Sequence, residues 1–135
     1  YTASLSSQIE RRAAVDWRAL PQEIAQMDIN IAPLVDNPQR RSKSAVKYLE
    51  AGLCAVPTVA SRLEPYADVI RDGQTSMLAG TADEWEQALS LLIERPELRH
   101  RLGGQARAHV LAEHTTDVRA AGFGAMLRKM VNGEW

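Results

Sequence analysis

Apolar positions recur along this chain in two rhythms. "DINIAPL" (28–34) is a short apolar run, and "VPTVAS" (56–61) is a second one, β-branched and bounded by turn residues. Runs of this length and make-up predict strands covered on both faces. "RRAAVDW" (11–17) and "TSMLA" (75–79) fit two further short strands. Between the runs the period lengthens. "LPQEIAQM" predicts a short helix with Pro21 in its first turn, the stretch from Ser42 to Cys54 a longer one, and "EPYADVI" another short one. "RDGQ" is a turn centred on Gly73.

The second half is helical. Thr81 and Glu84 form a T-x-x-E capping box, and Trp85, Ala88, Leu89, Leu92 and Ile93 follow as a stripe at helical spacing. Pro96 opens the next helix, which the pair Gly103–Gly104 is expected to interrupt. "DVRAAGFGAMLRKMV" predicts a last helix, weakened by Gly122 and Gly124. Trp17 and Trp85 are expected in the core. The first eight residues, "YTASLSSQ", are polar and aperiodic, and look like the remnant of a loop, as if the chain begins inside something larger.

Strands alternating with helices imply an α/β fold: a Rossmann-like parallel sheet with helices on both faces and a helical C-terminal half. The unit from "DINIAPL" through a helix to "VPTVAS" is a βαβ crossover, expected to be right-handed. Ligands of such sheets bind beyond the carboxyl ends of the strands. "VDNPQRRS" and "SRLEPY" lie there, so "RRSKSAVKYLEAG" (40–52) starts at the ligand edge. On a helix beginning at Ser42, residues Lys43, Lys47 and Glu50 share a face, while Ala45, Val46, Leu49 and Leu53 can pack on the sheet. The helix N-terminus offers N–H groups and the positive end of the dipole to an anion, and Ser42 or Ser44 can cap it or donate to a phosphate. Glu50 could accept hydrogen bonds from a sugar diol. The same spacing also suits a plain solvated face. For Arg40 and Arg41, phosphate contact and solvation stand equally open.

Composition narrows the classes. The 135 residues fit one domain, 45% hydrophobic and 24% charged, with net charge −1, so nothing argues for nucleic acid or a membrane surface. No apolar run has the length of a membrane span, and no signal peptide is visible. A single cysteine, Cys54, excludes an internal disulfide framework, fits a reducing and hence cytoplasmic setting, and is expected to be a buried small hydrophobe. His100, His109 and His114 form no i, i+4 pair and read as surface helix residues rather than a zinc set. No G-x-G-x-x-G, P-loop or nucleophile elbow occurs.

"MDINIAPL…NPQRRSKSAVKYLEAGLCAVPTVASRLEPYADVIRDGQTSMLA" resembles the C-terminal, donor-binding domain of retaining, nucleotide-sugar-dependent glycosyltransferases of the two-Rossmann GT-B fold. That pattern is an aspartate-led strand, a loop, a helix with K-x-x-E or E-x7-E, then "G-x-P-V-V-A-S" and "x-D-G-x-T-G-L-L". The resemblance covers about Ala25 to Glu113. It implies that Glu50, matching the second acid of E-x7-E, binds the nucleotide ribose. Lys47 matches the lysine of K-x-x-E, and Ala45 falls where a small residue lets backbone approach the diphosphate. Ser42, Lys43, Ser44, Ala45, Lys47 and Glu50 are therefore the candidate donor-binding residues. No catalytic residue is assigned. The motifs imply no metal and no cofactor; the nucleotide diphospho-sugar is the donor substrate. Ser42 stands in place of the first glutamate, Glu64–Pro65 in place of a Gly-Gly pair, and Ala55 and Ser76 in place of turn glycines. Relatives with K-S-x-x-K-Y-x-E share the Ser and Pro features. The resemblance implies a single donor-binding domain over residues 1–135, an incomplete GT-B C-terminal domain, inactive alone and partnered by the N-terminal acceptor domain of the same enzyme. The acceptor is unassigned. The departures leave a second possibility: a non-catalytic, degenerate transferase-like domain that binds a partner protein.

Overall fold

The computed structural model describes residues 9–132; "YTASLSSQ" and Trp135 lie outside the described residues, as do the side chains of Arg40 and Arg41. Three short strands, β1 (Asn30–Ala32), β2 (Thr58–Ser61) and β3 (Met77–Ala79), form a parallel sheet in the order β1-β2-β3. The register pairs Ala32 with Ala60 and Ala60 with Leu78. The helices are α1 (Leu20–Ile24), α2 (Pro38–Arg41), α3 (Val46–Leu53), α4 (Ala82–Glu94), α5 (Pro96–Glu113) and α6 (Thr116–Val131).

The pleat sorts the side chains into two cores. Ala32, Ala60 and Leu78 share one face and pack with Ala45 and Tyr48 of α3, Tyr66, Ile70, and Ala106 and Val110 of α5. Val59 and Ala79 point the other way and pack with Ala88 and Leu92 of α4 and Leu102 of α5. Helix α5 thus supplies side chains to both layers. A fully buried leucine such as Leu92 or Leu102 contributes roughly 1.5–3 kcal/mol by leaving water. Cys54 is half-buried, and burial pushes its thiol pKa up.

The structure departs from the sequence pattern in several places. Residues 11–17 form no strand: Ala13, Ala14, Val15 and Trp17 are exposed and pair with no neighbour strand, so the apolar run lacks the partner that strand pairing needs. Trp17 is 70% exposed, with the Arg18 guanidinium 4.5 Å above its ring, so it lies outside the core. Trp85 does pack against the α4 core. Residues 64–70 are successive turns around buried Tyr66 and Ile70 rather than an α-helix. The α4 stripe holds except at Ile93, which is 65% exposed near the helix end.

Gly103 and Gly104 do not interrupt α5, which is continuous from Pro96 to Glu113. A Cβ on Gly103 would sit 1.9 Å from the Ala55 carbonyl oxygen, so this glycine lets the helix touch the end of α3. Gly122 and Gly124 likewise lie inside a continuous α6.

Candidate functional site

Helix α3 returns the chain from the carboxyl end of β1 toward the start of β2. Its first turn therefore lies at the carboxyl edge of the sheet, as the sequence pattern anticipated. Its start does not. Pro38 opens a separate four-residue helix, α2, and the Ser42 hydroxyl donates back to the Pro38 carbonyl at 3.2 Å. That local bond competes with helix continuation. The chain then turns through Ser42, Lys43 and Ser44, all exposed, and α3 begins at Val46 with Ala45 as its N-cap. No side chain caps it, so neither Ser42 nor Ser44 has the capping role.

The six candidate residues separate accordingly. Lys47 and Glu50 lie three apart on α3, exposed and half-buried respectively, on neighbouring positions of one face. Lys43 is outside the helix and does not continue that face. Ala45 is buried in the core. Tyr48, Ala51 and Gly52 form the buried side of α3, whereas Val46 and Leu53 are exposed, contrary to the expected packing face. Val46 and Lys47 occupy the first turn, where backbone N–H groups have no acceptor within the helix.

A cleft of about 280 Å³ opens at the same edge, lined by Leu34, Asp36, Ser61, Arg62, Leu63, Ala79, Gly80 and Trp85. None of the six candidate residues lines it. Its walls are fixed by polar contacts. The Ser61 hydroxyl accepts from the Leu34 N–H at 2.7 Å and donates to the Leu34 carbonyl at 3.2 Å. Arg62 donates to Asp72 at 2.9 Å and to the Leu78 carbonyl at 2.8 Å. Asp72 in turn accepts from the Leu78 N–H at 2.9 Å. Glu84 accepts from the N–H groups of Gly80 and Thr81, and these bonds, Gly80 first, hold its carboxyl below the ordinary value. Arg62, which the sequence pattern did not single out, is an exposed cation of this cleft.

Ser76 and Ala55 also acquire roles. The buried Ser76 hydroxyl accepts from the Thr58 N–H at 3.0 Å, a bond that glycine lacks. Ala55 takes a positive φ of 58°, and the Ala55 and Val56 N–H groups bond to the carbonyls of Gly52 and Ala51, both at 2.9 Å. This is a Schellman closure of α3.

The histidines do not all lie on the surface. His109 is 7% exposed and His114 half-buried; only His100 is exposed. The ligand atoms of His109, Glu113 and His114 lie within 4.8 Å of one another. The i, i+4 spacing of His109 and Glu113 was the available signal for this cluster.

A sequence profile described as glycosyl transferase-like matches residues 2–124. The chain belongs to the glycosyl transferase-like family. The D-inositol 3-phosphate glycosyltransferase of Actinosynnema mirum is 31% identical over 98 residues, 69% of this chain and 24% of that protein. The enzyme of the same name from Saccharomonospora viridis is 32% identical over 97 residues, 68% of this chain and 22% of that protein. The chain therefore spans about a quarter of the length of these relatives. Its fold is that of sucrose-phosphate synthase from Thermosynechococcus elongatus over 96% of this chain and 32% of that one, with a TM-score of 0.81 at 19% identity. The C-terminal domain of a glycosyl transferase group 1 family protein from Francisella tularensis matches 84% of this chain and 57% of its own, with a TM-score of 0.66 at 19% identity. The glycosyl transferase-like chain is thus a GT-B-like α/β unit. Among its described residues, no helix is long and apolar enough to cross a membrane.

Proposed function

We propose that this chain is the donor-binding part of a retaining glycosyltransferase that uses a nucleotide diphospho-sugar. Membership of the glycosyl transferase-like family supports transfer chemistry. The observation that carries the donor reading is the first turn of α3, at the carboxyl edge of a parallel sheet, with Lys47 and Glu50 on one face of the helix. In this reading the diphosphate lies at the α3 N-terminus near Ser42, Lys43, Ser44 and Ala45, with Lys47 beside it, and Glu50 accepts from the ribose hydroxyls. Transfer forms a bond from the anomeric carbon to the acceptor oxygen, breaks its bond to the diphosphate, and passes the proton of the acceptor hydroxyl to the leaving phosphate oxygen. Negative charge grows on the leaving diphosphate. The helix N-terminus and Lys47 stabilise that charge. The acceptor site belongs to parts of the enzyme beyond these residues.

The test is the transfer rate of the full-length protein. Glu50→Ala is expected to lower kcat/KM by about tenfold to a hundredfold, the scale of a hydrogen bond to a charged acceptor. An unchanged rate removes Glu50 from the site. The interaction-module alternative draws on Ser42 and on the absence of the six candidates from the cleft. Calorimetry with nucleoside diphosphates and their sugars separates the two, since the module binds none.

A further inference from the structure

Tyr48 lies in the first turn of α3, between Lys47 and Glu50, but its side chain enters the core and is 0% exposed. Its hydroxyl is 2.9 Å from Nδ1 of the buried His109 on α5. The other ring nitrogen, Nε2, is 3.3 Å from Oε2 of Glu113. Arg71, in the turn before β3, donates to Oε1 of the same carboxylate. One proton arrangement satisfies every group. In it the Tyr48 O–H donates to Nδ1, the Nε2–H donates to Glu113, and Arg71 closes the far end.

Other polar groups surround this line. Thr75 faces the Tyr48 hydroxyl. The His114 ring stands edge-on to His109 at 4.9 Å, and Arg119 of α6 donates to its Nδ1 at 2.9 Å. Although His109, Glu113 and His114 are close enough to share an ion, Arg71 already pairs with the carboxylate and Arg119 with the His114 nitrogen. Two guanidinium charges there oppose a divalent cation. The cluster works as a hydrogen-bonded strut joining α3, α5 and the turn before β3.

An apolar pair would fill this space without the cost of desolvating polar groups. A fully satisfied buried network instead fixes one arrangement of the elements it joins. Here it fixes the turn of α3 whose outward side carries Lys47 and Glu50. We propose that His109 is a positioning residue for donor binding, holding the first turn of α3 in register through Tyr48. The proposal rests on α3 being the donor helix.

Calorimetric titration of uridine, guanosine, adenosine and thymidine diphosphates into the full-length protein tests it, with thermal melts run in parallel. Tyr48→Phe removes one hydroxyl and keeps the ring in the core. His109→Leu keeps most of the volume and removes both bonds. His109→Asn retains a polar group near the Nδ1 position. Tyr48→Phe and His109→Leu are expected to weaken the diphosphate affinity roughly three- to tenfold, the worth of one net hydrogen bond. His109→Asn is expected to recover most of that loss. Should His109→Leu fail to fold, Tyr48→Phe carries the test alone. If Tyr48→Phe lowers Tm but binds as tightly as wild type, the network is merely structural and the proposal is overturned. Wild-type protein that binds none of the four diphosphates overturns the donor-helix reading and this proposal together.

Discussion

Ala55 holds a left-handed backbone conformation, with φ at +58°, at the end of α3. A side chain in that conformation costs about 1–2 kcal/mol, part of which glycine gives back through the larger entropy of its unfolded chain. Ala55→Gly is expected to raise stability by about 0.5–1 kcal/mol, read as a higher denaturant midpoint at constant slope. This position was legible: the resemblance placed a glycine there, and the structure supplies the backbone reason. Ser76 stands at the other position of that kind, and its hydroxyl bond to Thr58 joins residues 18 apart in sequence. Such a bond has no local pattern. Ser42 misled for a local reason, because its hydroxyl turns back to Pro38 instead of capping the helix ahead. At the same scale, the Tyr48–His109 bond links residues 61 apart, which hid His109 among apparent surface histidines.

At the level of elements, the two adjacent glycines of α5 predict opposite outcomes. A Cβ at Gly103 meets the Ala55 carbonyl, whereas one at Gly104 meets nothing within 4 Å. Gly103→Ala should destabilise by about 1–3 kcal/mol through overpacking, and Gly104→Ala should stabilise by about 0.5–1 kcal/mol through helix propensity. The pair looked like a helix break because glycine is a poor helix former; contact with the end of α3 overrides that preference. The α4 capping box, by contrast, was fully legible, since its T-x-x-E signal is local and both reciprocal bonds are present. Thr81→Ala should cost about 1 kcal/mol in chemical denaturation.

Acid adds a second test of the same elements. Glu84 is held below its ordinary value of 4.5 by the Gly80 and Thr81 N–H groups. A carboxyl depressed in the folded state contributes stability above its unfolded value, lost as pH falls through the folded one. His114 is lowered from its ordinary 6.5, first by desolvation and then by His109 and Arg119. The unfolded chain then takes up that proton first, so stability declines as pH drops below 6.5. Melting temperature should therefore fall from neutral pH downward. His114→Gln should flatten the upper part of that decline, and Glu84→Gln the part below 4.5.

For the whole molecule, the alternation of apolar runs and helices was enough to read a parallel α/β sheet and to locate its carboxyl edge. Strand pairing obeyed period and sequence order. The run at 11–17 failed because a strand needs a partner edge as well as a pattern. The cleft was not legible, because its lining comes from three strand ends and one helix brought together only by folding. The central claim is that Glu50 reads a ribose beside a diphosphate held at the start of α3. It is tested most directly by comparing a nucleoside diphosphate with its 2′,3′-dideoxy counterpart on the full-length protein. Wild type should prefer the ribose form by roughly tenfold or more, and Glu50→Ala should lose that preference while still binding the diphosphate. Equal discrimination by wild type and Glu50→Ala would contradict the account.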